Sequence, residues 1–264
     1  MTTLKTLFIV MLFSINFTFS QVEPISADDG RTIKIPVVFH VIQEKGKSQD
    51  VHEKITDEVL KKEIQDLNIN FSAQNNMSAL DVRFENLIGN PNFEFYLFNP
   101  EHEGYIWRYD LSSNVSSRPI FGRSWKILHI VIGDMLSSSN VLLDNNSINK
   151  PNHININYKL VGNGSNTVTH ELGHYFGLWH VWGKSNCKKI KFHKRTDFIA
   201  DTPKQNNCTD VKRTKPCPPK KISKNPNYNN FMDYSSCRCF FTKDQVQTMR
   251  NRIIKYKKFF QESK

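Results

Sequence analysis

No cysteine precedes Cys187 in this chain of 264 residues, and no Cys-x-x-Cys pair, internal repeat or low-complexity linker occurs anywhere in it. Each absence excludes something. Without early cysteines, the first two thirds must hold together by burial, so a disulfide scaffold running the whole length is ruled out. The nearest approach to a cysteine metal knuckle is Cys237-Arg238-Cys239, whose spacing is poor for zinc. Without repeats or linkers, the length suits one sizeable domain or two small lobes. Acidic residues are also scarce: 25 Asp and Glu face 36 Lys and Arg, a net charge of +11. Much of the excess falls in residues 184–195, 212–224 and 250–258. A basic surface can draw acidic partners, but there is no nucleic-acid motif and no interleaved aromatic platform. The charges therefore read as solvated loops, and nucleic acid is not expected as a partner.

Lys5 and the apolar run at residues 7–19 begin the chain. The run is short against the roughly 20 residues of a membrane helix. Thr18-Phe19-Ser20 puts small residues at the first and third positions before Gln21, so residues 1–20 read as a cleaved export signal, with a noncleaved anchor as the alternative. No later stretch could cross a bilayer, and the mature chain is expected to be secreted and soluble. Residues 21–32 are polar and read as a flexible start or a short pro-peptide remnant. Export to an oxidising compartment turns Cys187, Cys208, Cys217, Cys237 and Cys239 into a local disulfide framework with one thiol left over.

Residues 33–42 form a dense β-branched run, a buried strand. Thr56 followed by Asp57 and Glu58 opens a helix whose inward stripe is Leu60, Ile64, Leu67 and Phe71. Residues 93–98 and 127–132 read as further strands, the second central. Residues 154–158 alternate apolar and polar, as a half-exposed edge strand does. Ser165 or Asn166 would cap the next helix. Residues 182–229 are polar, basic and without periodicity. Thr242-Lys243-Asp244-Gln245 is a capping-box pattern ahead of the stripe Val246, Met249, Ile253 and Phe260. The fold class expected is α/β (α+β): an N-terminal lobe, residues 33–180, with a twisted, mostly parallel sheet and helices, and an irregular, disulfide-stapled C-terminal lobe, residues 181–264, ending in a helix.

The helix after residue 166 carries His170-Glu171-Leu172-Gly173-His174-Tyr175-Phe176-Gly177-Leu178-Trp179-His180. Residues at i and i+4 share a helix face, so His170 and His174 can grip one ion. Gly177 can take the left-handed conformation that ends a helix and lets His180 turn back to the same ion. Three neutral imidazoles leave a fourth zinc position open, the layout of a catalytic site. Glu171 stands beside the first ligand, where it can act as general base on a zinc-bound water.

This extended motif resembles that of the metzincin clan of zinc endopeptidases. Ile35-Pro36-Val37-Val38-Phe39-His40-Val41-Ile42, Leu67-Asn68-Ile69-Asn70-Phe71, Val181-Trp182-Gly183, Asp201-Thr202-Pro203, Asn230-Phe231-Met232-Asp233-Tyr234 and Phe241-Thr242 with Gln245 narrow the resemblance to the pappalysin family, the pregnancy-associated plasma protein A type. The resemblance implies a zinc endopeptidase with His170, His174 and His180 as ligands and Glu171 as base. It makes Met232 the hydrophobic floor under the ligands and Tyr234 a contact to the metal or the oxyanion. It implies structural calcium at Asp197, the Ala200 carbonyl and Thr202. It also implies disulfides Cys187 to Cys217 and Cys208 to Cys237, with Cys239 as the alternative to Cys237. Relatives often favour a basic residue next to the cut, yet here residues 185–221 are unusually basic. Some relatives block the zinc with a pro-segment cysteine; none exists before Cys187, and Asp28 or Asp29 is the substitute to consider. The partner implied is a protein or peptide bound in extended form along the edge strand, and the chain is expected to be a monomer. The rival class is a noncatalytic zinc-binding or adhesion module that kept the fold; the presence of Glu171 argues against it.

Overall fold

The computed structural model describes residues 30–47, 50–98, 106–111, 127–134, 153–183, 187, 197–205, 207–209, 217 and 227–256. The expected export signal, Asp28, Asp29, most of the basic loop and Phe260 lie outside these residues.

β1 (Ile33–Glu44) is the axis of the sheet. Its first half pairs in parallel with β3 (Phe93–Leu97), and its second half pairs on the same side with β4 (Ile106–Leu111). On its other side runs β5 (Leu128–Gly133), followed by β6 (His153–Asn157), again parallel. Among the described residues β6 is the last strand of the sheet, and every second residue of it is buried. β5 is buried along its whole length because it lies between β1 and β6. β4 was not read from the sequence; its Ile-Trp-Arg-Tyr-Asp-Leu alternation is the signal that marks it.

One face of the sheet carries Ile33, Ile35, Val37, Phe39 and Val41, all in the main apolar core. A helix of one turn, α1 (Val51–Lys54), buries Val51 there. α2 (Asp57–Phe71) follows, with the Thr56 hydroxyl accepting from Val59 N at 3.3 Å as its N-cap. Near its end two asparagines face structure rather than water. Asn68 copies a strand: its Nδ2 donates to Phe95 O at 3.0 Å and its Oδ1 accepts from Phe95 N at 2.7 Å. Asn70 Nδ2 donates to Thr169 Oγ1 at 2.7 Å, tying α2 to the histidine helix. Phe71 sits in an aromatic cluster with Phe93, Phe95, Phe176 and Phe241, ring centroids 5.0 to 6.0 Å away. Burying such a ring stabilises by roughly 2–3 kcal/mol.

The last part of the chain returns to this core. β2 (Ile88–Gly89) pairs antiparallel with β7 (Phe241–Thr242), and α4 (Lys243–Tyr256) buries Val246, Met249 and Ile253. The capping box forms: Gln245 N donates to Thr242 Oγ1 at 3.2 Å and Thr242 N to Gln245 Oε1 at 2.9 Å. Arg250 Nη1 donates to the carbonyls of Arg31 and Pro91, at 3.0 and 2.9 Å.

The disulfide pairing implied by the resemblance is corrected. Cys187 bonds Cys208, and Cys217 bonds Cys237, with Cα–Cα distances of 5.2 and 5.5 Å. The pairs Cys187–Cys217 and Cys208–Cys237 are not made. Each cysteine meets the next along the chain, so each bridge closes a short local loop. Cys239 is the free thiol; it is buried, and burial pushes its pKa up to about 12.

Candidate active site

α3 (Thr167–Tyr175) carries the first two histidines, packed between the sheet and the returning C-terminal segment. Neither expected cap acts alone. Asn166 is the N-cap residue, in the left-handed region at φ +55°, without a capping bond from its side chain. The Ser165 hydroxyl accepts from Thr167 N at 3.3 Å instead. Asn166 is used laterally: its Oδ1 accepts from Asn70 at 3.2 Å and its Nδ2 donates to Arg238 O at 3.2 Å. The helix stops at Gly177, where φ is +99°. A Cβ there would overlap the Arg252 side chain as well.

The turn after Gly177 brings His180 back. His170, His174 and His180 place one ring nitrogen each within 4.8 Å of one another. His174 Nε2 and His180 Nε2 are 3.1 Å apart. His170 Nδ1 meets Phe231 O at 2.7 Å, and His174 Nδ1 meets Leu178 O at 2.8 Å. A carbonyl can only accept, so each Nδ1 carries the proton and each Nε2 keeps its lone pair for a metal. Burial holds all three rings neutral. It pushes His174 down to about 4, and His180 to about 2 with help from the charges of His174 and Arg238. His170 lies well below its ordinary value, by burial and then by the charge of His174. Three neutral, converging imidazole nitrogens, two of them with the tautomer fixed, are a donor set that fits zinc.

Glu171 is buried at 7 % exposure. Burial pushes its carboxyl up to about 7, while the Arg238 guanidinium pulls the other way. A carboxyl poised near neutrality can both take and return a proton.

Met232 is fully buried under α3, and a Cβ on Gly173 would overlap its Sδ. Glycine at the third position between the histidine ligands is therefore what lets the methionine approach. The turn holding Met232 is itself braced. Asn230 Oδ1 accepts from Met232 N at 2.8 Å, and its Nδ2 donates to Gln245 Oε1 at 2.8 Å. The buried Asp233 carboxylate accepts from Thr209 N, the Thr209 hydroxyl and Tyr234 N. Tyr234 stands over the histidines, its ring centroid 5.4 Å from His170 and 4.9 Å from His180. Burial raises its phenol, and the negative charge of Glu171 raises it further. Trp182 closes the other side, stacked on His180 at 4.4 Å with an interplanar angle of 8°.

Asp197 and Thr202 come together in one turn. Thr202 Oγ1 lies 2.8 Å from both Asp197 oxygens and 3.1 Å from Ile199 O. Burial pushes Asp197 up to about 6. Ala200 lies in the turn between them. Three residues had no assigned role from sequence: Gly173, Arg238 and the Asp233 brace. Gly173 carried a signal in its place between the ligands. Arg238 carried none beyond its charge.

Residues 145–254 match the family model described as pregnancy-associated plasma protein-A, a peptidase family. An extracellular metalloprotease of Aspergillus oryzae is 42% identical over 96 residues, 34% of this chain and 28% of that protein. One from Aspergillus fumigatus is 37% identical over 103 residues, 36% of this chain and 30% of that protein. The matched stretch thus spans less than a third of the length of either fungal relative. Mature mirolysin of Tannerella forsythia, solved in complex with a cleaved peptide, superposes with a TM-score of 0.63 at 29% identity, covering 83% of this chain and 91% of that one. Promirolysin from the same organism gives a TM-score of 0.68 at 28% identity, covering 90% of this chain and 85% of that one. The family match falls on the helix, turn and floor described above, and in this region the chain is similar to the pappalysin family of metallopeptidases.

Proposed function

We propose that the chain is a secreted zinc-dependent endopeptidase that hydrolyses peptide bonds of extracellular proteins or peptides. The observation that carries this reading is the convergence of three neutral imidazoles beside a buried carboxyl held near neutrality. When bound, zinc supplies a Lewis acid that polarises the scissile carbonyl and acidifies a water. His170, His174 and His180 hold it, and the carbonyls of Phe231 and Leu178 orient two of those rings. Glu171 takes the proton of the attacking water and returns it to the leaving amine. The Tyr234 hydroxyl, raised and so protonated, can donate to the oxygen that gains charge. Met232 and Trp182 exclude water from beneath and beside the ligands.

The substrate would lie extended along β6 and add a strand to the sheet. The reading takes residues 1–20 as an export signal, 21–32 as a short lead-in and 33–264 as the catalytic domain, acting as a monomer. Residues 33–180 supply one wall of the cleft and 181–264 the other. We also propose a structural calcium at Asp197, Thr202 and the Ala200 carbonyl. Its support is the buried Asp197 carboxylate, whose oxygens here share one hydroxyl; oxygen donors suit calcium. If calcium leaves the melting temperature of the chelated protein unchanged, that part fails.

The main test compares wild type with Glu171→Ala on casein and on a fluorogenic peptide library. A fall of about 10²- to 10⁴-fold with zinc content kept is expected. Equal rates in the two proteins, unaffected by chelator, would leave the noncatalytic zinc module as the reading.

A further inference from the structure

The cleft holds one more charged group, which the hydrolytic chemistry leaves unused. Arg238 follows Cys237, whose disulfide to Cys217 fixes the strand of chain it sits on. Its guanidinium is gripped from two sides. Nη1 donates to Asp233 O at 3.2 Å, in the methionine turn, and Nη2 to Ser165 O at 2.5 Å, just ahead of α3. Its own carbonyl accepts from Asn166 at 3.2 Å. Side chain and backbone are thus clamped between the two segments that build the metal seat.

Those partners are neutral carbonyls, and they do not offset its charge. Arg238 makes no ion pair among the described residues, and its Nε is buried without a hydrogen-bond partner. The Asp233 and Glu171 carboxylates favour its charge through space without touching it. Asp233 spends its oxygens on Thr209 and on Tyr234 N, and Glu171 is the proton carrier. Yet the guanidinium acts on Glu171, Tyr234, His170 and His180 through space. Its bonds to Ser165 O, just ahead of α3, and to Asp233 O, next to Tyr234, set it beside the reaction centre. Burial lowers its pKa only to about 10, so it stays cationic at neutral pH. A buried cation whose direct partners are only carbonyls is costly to keep, and an anion paired with it lowers that cost. With a metal dication nearby, the local field is strongly positive, and a substrate carboxylate would relieve it.

We propose that Arg238 is a specificity-determining residue that pairs with an acidic side chain of the substrate next to the scissile bond, so that cleavage favours Asp or Glu there. This rests on the peptidase reading. It reverses the basic preference implied by the family resemblance, because a basic side chain would meet like charge. A residue that only clamped the turn to α3 would influence all substrates alike, whereas charge selection distinguishes them.

The test is cleavage-site profiling on a proteome-derived peptide library, with wild type, Arg238→Gln, Arg238→Lys and Arg238→Glu, each checked for zinc content and thermal melting. Wild type should enrich Asp or Glu at one position flanking the cut. Arg238→Gln should lose that enrichment, with kcat/KM falling at least about tenfold more on an acidic peptide than on its Glu-to-Gln twin. Arg238→Lys should keep part of the preference, and Arg238→Glu should shift it towards Lys and Arg. A wild-type profile without acidic enrichment overturns the proposal, and so does an equal loss on both peptides of the matched pair. Should every variant fail to fold, the wild-type profile decides by itself. A wild type that cleaves nothing, with or without chelator, is a different result: it sinks the peptidase reading and the proposal together.

Discussion

Gly173 shows how much of the site depends on a side chain that is missing. Met232 reaches the ligands only because nothing projects from that point of α3. The sulfur cannot step aside, since Met232 is fully buried and its turn is braced by Asn230. Gly173→Ala should lose roughly 1–3 kcal/mol in urea denaturation and hold zinc less tightly by metal titration. An unchanged midpoint would show that the floor can yield. The histidines, Glu171 and the glycine at 177 were legible because helical spacing makes each position mean one direction. Arg238 was not, because a single charge between two cysteines has no period to betray where it points. Its role emerges only from Ser165 and Asp233, residues far from it or on another turn.

At the scale of elements, long periodic segments were readable and short ones were not. The Thr56 cap, the stripe of α2, the dense run of β1 and the capping box of α4 all announce themselves through local chemistry. β2 and β7 are two residues each, too short to show alternation, and exist only because they find each other. The capping box also does more than its pattern suggests. Gln245 satisfies Thr242 N and at the same time exchanges hydrogen bonds with Asn230 in the methionine turn. Thr242→Ala should cost about 1 kcal/mol. Gln245→Ala should cost more, on the order of 2–3 kcal/mol, since it strands buried donors and acceptors in two places. Thermal melts of the two variants check the order, and a reversal would separate the box from the turn. Cysteine partners cannot be deduced from spacing. Non-reducing peptide mapping should recover Cys187 with Cys208 and Cys217 with Cys237; recovery of the crossed pairs would reject the local loops.

Across the whole molecule, a polar row lies on the sheet face away from the main core. His40 joins Tyr109 at 3.1 Å and His129 at 2.9 Å, so the row crosses β4, β1 and β5. Burial, with the charges of His129 and then His153 on β6, pushes His40 down to about 3, and burial with the charge of His153 pushes His129 to about 4. The folded protein thus refuses protons that the unfolded chain accepts below its ordinary 6.5. Stability should be full above that pH and should fall as pH drops towards 4. Urea denaturation of the chelated protein from pH 7 to 4 should show a slope that His40→Gln with His129→Gln flattens by on the order of 1–3 kcal/mol. Identical slopes would acquit the row. Neither this row nor the shared core was visible in sequence, because both depend on which strands lie side by side. The core in particular joins Ile33 to Ile253, so the two walls of the cleft are not separate bodies.

The pairing of β2 with β7 has a consequence for a chain as it is being made. Gly89 waits for Phe241, and the histidines wait for Met232, through about 60 to 150 residues of further synthesis. Nascent fragments, and any product truncated before Met232, are born without a finished metal seat. The order of synthesis therefore delays completion of that seat.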